Sequence, residues 1–202
     1  MTGGFRTCSS LVLASASPRR IGFLRELGLE FAVLPAMIDE AVEPGERPEQ
    51  YALRLAEEKA RAIAGAHVES CVLAADTIVV LDGEILGKPR DSADAENMLA
   101  RMGGRWHEVV TAYCLCRLVD GLFVQRAVTT RVLFRPLDRQ LCRAYVLTGE
   151  PLDKAGSYGV QGRGGFLVER IDGSCTNVIG LPVAEVVADL LRLRIIAAEG
   201  GG

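Results

Sequence analysis

The chain has 202 residues, which at about 150 residues per domain makes one domain, or two tightly joined lobes, and excludes a string of them. Its 49% hydrophobic and 24% charged residues match an ordinary globular protein with a sizeable core. With 23 Lys and Arg against 26 Asp and Glu, the net charge of −3 excludes a bulk field for nucleic acid or an anionic membrane, so an anionic ligand must meet a local cluster of cations.

No apolar run approaches the ~18 residues that span a bilayer. Leu11–Ala14 followed by Ala14-Ser15-Ala16 imitates a signal peptide, but it is too short for an h-region of about 7 to 15 residues and reads as the first core strand. Ser17 as N-cap and Pro18 at the first helical position start a helix that Gly28 stops. A strand at Phe31–Leu34, an ordered polar loop from Pro35 to Pro48, and a long helix to about Ala66 follow. Cys71–Ala75 reads as a buried strand ending at Asp76-Thr77. Ile78–Leu81 and Glu84–Leu86 then flank Asp82-Gly83, the dipeptide preferred in type I′ hairpins.

Ser92–Met102 is helical and closed by Gly103-Gly104, and Trp106–Val119 and Leu122–Phe134 form a strand pair around Asp120-Gly121. A helix at Asp138–Thr148, a glycine-rich segment Gly149–Gly165, a strand Phe166–Ile171, an Asp172-Gly173 turn and a helix from Pro182 to Leu193 complete the chain. Alternating strands and helices with two antiparallel hairpins imply a mixed α/β sheet. A single domain over 1–202 is expected, folded from about 9 to 195, with 1–8 and 199–202 flexible. The six cysteines form no C-x-x-C, and most sit in apolar runs as small hydrophobes, as in a reducing cytoplasm.

Three groups of residues carry candidate chemistry. Ser15-Ala16-Ser17-Pro18-Arg19-Arg20 enters a helix N-terminus, where free N–H groups, hydroxyls and guanidinium forks suit phosphate; a capped helix with solvated arginines is the alternative. Asp76 closes an apolar run, which is costly without a metal, a cation or a catalytic task, and Asp39-Glu40 adds hard oxygen ligands; turn-forming aspartates are the alternative. Lys59, Gly87-Lys88-Pro89 and Asp153-Lys154-Ala155-Gly156 add cations that, taken singly, are ordinary solvated lysines. Gly83–Lys88 lacks a P-loop spacer, and Gly162-Arg163-Gly164-Gly165 fails the dinucleotide fingerprint. His67 and His107 are too few for a histidine-rich zinc site, and a Cys175 nucleophile with His107 as base is a minor alternative.

These segments together resemble the Maf family of nucleoside triphosphate pyrophosphatases, from Leu11 to about Leu193. The resemblance rests on Ser15-x-Ser17-Pro18-Arg19-Arg20, Asp39-Glu40, Glu58-Lys59-Ala60, Ala75-Asp76-Thr77, Gly87-Lys88-Pro89 and Gly104-x-x-His107-x-Val109-x-Thr111. It extends through Gly149-Glu150-Pro151-x-Asp153-Lys154-Ala155-Gly156-x-Tyr158 and Asn177-Val178-x-Gly180-Leu181-Pro182. It departs at Gly103, often serine in the family, and at Cys175, often aromatic.

The resemblance implies a strongly twisted, mixed α/β sheet with flanking helices, two lobes around a central cleft as in ITPase-like folds, and a homodimer; the cysteines and the charge balance add the expectation of a cytoplasmic protein with no nucleic-acid or membrane partner. It implies a metal-dependent (Mg, Mn or Co) hydrolase that cuts a nucleoside triphosphate between the α and β phosphates. Asp76 is then the general base, Glu40 and Asp76 hold metal, and Ser15, Arg20, Lys59 and Lys88 line the phosphate site. Arg19, Thr77 and Gln161 match the dTTP/UTP subgroup, whereas the 7-methyl-GTP subgroup has tryptophan at the position of Arg19 and glutamine at that of Thr77. Gln161 suits that assignment, because its amide can donate to a carbonyl of uracil or thymine and accept from the ring N–H. The rival expectation is a nucleotide-binding regulator of cell division with little turnover.

Overall fold

Proline and glycine set the limits of the helices in the computed structural model, which describes residues 4–199. In chain order the elements are β1 (Phe5–Thr7), β2 (Leu11–Leu13), α1 (Pro18–Glu26), β3 (Ala32–Val33), α2 (Pro48–Ala64), β4 (Cys71–Leu81), β5 (Glu84–Leu86) and α3 (Ser92–Met102). They continue as β6 (Trp106–Arg117), β7 (Leu122–Phe134), α4 (Arg139–Val146), β8 (Val168–Asp172), α5 (Cys175–Ile179), α6 (Val183–Arg192) and β9 (Ile196–Ala198). Pro18 and Pro48 each occupy a first helical turn. Gly28, at φ 81°, ends α1 as expected, with the Leu29 N–H returning to the Leu24 carbonyl. Ser17 makes no side-chain cap; its own N–H donates to Ser15 Oγ instead.

The main sheet runs β3-β2-β4-β6-β7-β8, with β5 added to β4. β2 pairs in parallel with β3 and β4, and the other pairings are antiparallel, so the sheet is mixed as expected. Asp82-Gly83 forms the expected tight turn, both residues at positive φ. At Asp120-Gly121 only the glycine has positive φ, and the strands stop at Arg117 and Leu122, which leaves a longer connection held by Asp120 accepting from Arg117.

Two expectations need correction. Asp76 is not at a strand end: β4 continues through it to Leu81, because the alternating residues beyond it pair with β6 on one side and with β5 on the other. Phe5–Thr7, expected to be flexible, pairs with Ile196–Ala198, beyond the expected folded limit, and Phe5 packs on the core. Cys175–Ile179, between the Asp172-Gly173 turn and Pro182, is a further short helix with Ser174 capping the Asn177 N–H. Residues 200–202 of the expected flexible tail, and 1–3 at the start, lie outside the described residues.

Strand alternation sorts β4 onto two faces. Val72, Ala74, Ile78 and Val80 pack under α2, whose Ala52, Ala56, Ala60 and Ala64 bring its backbone close to the sheet. The opposite face carries two separate cores. Leu73, Ala75, Tyr113 and Leu115 pack with residues of α1 and α6, while Val79, Leu81 and Val109 pack with residues of α3 and α4. Between these cores stand Thr77 and, paired across the ladder, Thr111. The cleft opens beside this polar break.

Candidate active site

β2 pairs with β4 only as far as Leu13 and Leu73, and β5 joins β4 only from Val79. Residues 74–78 therefore lack a strand partner on that edge, just where the chain leaves β2 for Ser15 and α1. Ends of parallel strands are where open α/β sheets place their ligands. A cleft of about 780 Å³ occupies this gap, in the range of small-molecule sites. Ser15, Arg19, Arg20, Glu40, Lys59, Asp76, Thr77, Lys88 and Gln161 all line it, so the structure gathers the residues that the family resemblance assigns to the site.

Asp76 and Thr77 are neighbours in sequence but flank the free edge from opposite faces. On the α2 side, Lys59 Nζ lies 2.6 Å from Asp76 Oδ1 and 2.6 Å from Glu40 Oε1. The Tyr51 hydroxyl donates to the Glu40 carbonyl at 2.7 Å and fixes the otherwise irregular loop at that point. Burial pushes the Glu40 carboxyl up, but its bond to Lys59 and the charges of Lys59, Lys88 and Arg20 outweigh this and hold it below its ordinary value. Burial, then the carboxylates of Asp76 and Glu40, raise the Tyr51 phenol to about 12, so it stays a donor. Among the described residues only Oδ1 of Asp76 is engaged, and the carboxyl is largely buried.

On the other face Arg20 donates to Ser15 Oγ at 3.2 Å, to Thr77 Oγ1 at 3.0 Å and, through Nε, to the Gly180 carbonyl at 2.8 Å. Burial lowers its pKa, Asp76 opposes that, and Arg19 adds to it. Arg19 Nε donates to the Ile179 carbonyl at 3.2 Å. Five cationic side chains (Arg19, Arg20, Lys59, Lys88, Lys154) face three carboxylates (Glu40, Asp76, Asp153) across the cleft, a local positive excess inside an acidic protein. That balance suits a polyanion.

Asp39 does not join its neighbour Glu40; its carboxylate accepts from the Ala41 N–H in a local turn. Lys154 lines the cleft but is held by Asp153 and the Glu150 carbonyl. The Cys175–His107 alternative fails, because His107 is buried with its Nε2 2.8 Å from the Tyr158 hydroxyl, Cys175 is exposed on α5, and neither lines the cleft. Among the described residues no three His, Cys, Asp or Glu side chains gather to hold an ion by themselves. Sequence reasoning missed Tyr51 as a site residue and gave no role to Thr111 and Asn177. A hydroxyl amid the apolar residues Val109, Val110 and Ala112 was the available signal for Thr111.

The chain belongs to the Maf family: the family model described as Maf-like protein matches residues 10–193. Among its relatives, the protein named dTTP/UTP pyrophosphatase from Desulfotalea psychrophila is 51% identical over 187 residues, covering 93% of this chain and 96% of the relative. A protein of the same name from Geobacter sulfurreducens is 52% identical over 184 residues (91% and 96%). Another from Anaeromyxobacter dehalogenans (strain 2CP-1) is 53% identical over 184 residues (90% and 93%). No helix among the described residues is long and apolar enough to cross a membrane.

Proposed function

We propose that this chain hydrolyses dTTP and UTP to the monophosphate and pyrophosphate. The observation that carries the reading is the convergence of Arg20, Lys59 and Lys88 with a single largely buried acid, Asp76, beside Arg19, Thr77 and Gln161 in one cleft. Relatives about half identical over nearly their whole length bear the name of that activity.

In this mechanism the triphosphate lies against the start of α1, where backbone N–H groups, Ser15 and Arg20 bind its oxygens. Arg19 and Gln161 select the base. Asp76 orients water and takes its proton as the oxygen bonds to the α phosphorus; the bond from that phosphorus to the bridging oxygen breaks, and pyrophosphate leaves with the electron pair. Lys59 and Lys88 stabilise the charge that develops on it.

Glu40 and Asp76 converge on one ammonium and supply the two hard oxygen donors that a magnesium-like ion takes from protein when phosphate and water complete its shell. These two residues would hold a divalent cation, which when bound neutralises phosphate charge. The test is pyrophosphate release across a nucleotide panel with Mg, Mn and Co. UTP and dTTP should far outpace ATP and 7-methyl-GTP. A panel led by 7-methyl-GTP, or stoichiometric UTP binding without pyrophosphate, would overturn the reading.

A further inference from the structure

Two adjacent arginines of α1 make the same unusual contact: Arg19 Nε donates to the Ile179 carbonyl and Arg20 Nε to the next one, that of Gly180. Each guanidinium is thereby steered from behind, at its inner nitrogen. The terminal nitrogens of Arg20 turn to Ser15 and Thr77, at the free edge of β4. The direction of both forks then depends on where the end of α5 is held.

Asn177 holds it. The residue is fully buried, does not line the cleft, and fastens α5 to the sheet with both its side chain and its backbone. Its Nδ2 donates to the Val109 carbonyl on β6 at 3.0 Å and to Thr130 Oγ1 on β7 at 3.1 Å. Its own carbonyl accepts from Thr111 Oγ1 at 2.9 Å. Thr111 spends its one proton there, so at the 2.9 Å Thr77–Thr111 contact Thr77 is the donor and Thr111 the acceptor. A chain of bonds thus runs in one direction from Arg20 through Thr77 and Thr111 to the Asn177 carbonyl, each member reinforcing the next. Gly180, at φ 133°, ends α5 in a conformation that side-chain-bearing residues rarely adopt, which turns its carbonyl back to Arg20.

We propose that Asn177 is a positioning residue for substrate binding: by clamping α5 to β6 and β7 it sets the Ile179 and Gly180 carbonyls that aim Arg19 and Arg20 at the nucleotide. This rests on the pyrophosphatase reading for its kinetic consequence but not for its geometry. Misplacing binding groups by about 1 Å costs up to about 10²-fold.

The experiment combines UTP kinetics with ¹⁵N spectra of the arginine Nε–H groups in the ligand-free protein, on the wild type, Asn177→Ala, Thr130→Val and Thr130→Ser. The wild type should show two exchange-protected Nε–H signals from Arg19 and Arg20. Asn177→Ala should lose both and raise KM for UTP about 10-fold or more, with the smaller part of the loss in kcat. Thr130→Val should shift both readouts the same way, and Thr130→Ser, which keeps the hydroxyl, should restore them. With Arg19 and Arg20 both changed to Lys, so that no Nε–carbonyl bond can form, adding Asn177→Ala should cost no more than about twofold. A folded Asn177→Ala that keeps both protected signals, or keeps wild-type KM, overturns the proposal, as does an undiminished cost in the double-lysine background. If Asn177→Ala does not fold, the Thr130 pair decides by the same criteria. Absence of UTP hydrolysis by the wild type would sink the pyrophosphatase reading alone, and the spectra would still decide this one.

Discussion

Lys59 holds Asp76 and Glu40 together with one ammonium, and removing either side of that arrangement has different consequences. In Asp76→Asn the amide keeps the shape and Lys59 keeps Glu40, so the fold should survive while turnover falls by about 10²–10⁴-fold. Pyrophosphate release above about a tenth of wild type would contradict a general base at this position. Most of this site was legible as residue types, because an acid closing an apolar run and clustered serines, arginines and lysines are local patterns. What the sequence hid was orientation. Asp76 read as a strand end because Asp commonly begins turns, whereas β4 runs on and the true discontinuity is in its neighbours, β2 and β5.

At the scale of elements, α2 decides how closely Lys59 approaches the sheet. Ala52, Ala56, Ala60 and Ala64 recur every four residues and are fully buried, a spacing that lets the helix backbone settle onto β4. Ala56→Leu would insert three carbons into a filled contact and should cost about 1–3 kcal/mol of stability, read as a lowered midpoint in urea. It should also weaken catalysis by lifting Lys59 off Asp76; an unchanged midpoint and unchanged kcat/KM would refute this account. Helix limits were readable because Pro18, Pro48 and Gly28 act locally, and the Asp82-Gly83 hairpin because two positive-φ residues have few alternatives. The β1–β9 pair was not readable: three-residue strands at opposite ends of the chain carry no periodicity, and only tertiary packing joins them.

Over the whole molecule, two buried titrating groups outside the cleft contribute to the loss of stability in acid. Burial lowers His107 to about 4, partly opposed by the nearby Arg105 backbone. Burial raises Asp189, but bonds from Arg126, Tyr113 and Arg192 override it and bring the carboxyl to about 2. Both values lie below those of the unfolded chain, so both contributions are complete above the unfolded values and fade as pH falls. His107 should withdraw stability between the ordinary 6.5 and about 4, and Asp189 between the ordinary 3.8 and about 2. The Asp189 shift is worth about 2 kcal/mol at neutral pH, so Asp189→Asn should lose about that much there and approach wild type near pH 2. Chemical denaturation across pH checks the pattern, and a His107 NMR titration centred near 6.5 would contradict it.

The pleat of β4 has a consequence for the order of residues along the chain. Because successive side chains leave a strand on opposite sides, the acid at 76 and the hydroxyl at 77 keep their separate partners, Lys59 and Arg20, only while the count from Leu73 is preserved. Deleting Ala74 or Ala75 would exchange the two sides, sending the carboxylate toward Thr111 and the hydroxyl toward α2, with every reactive group still present and none opposite its counterpart. The proposed hydrolysis depends on counting by twos.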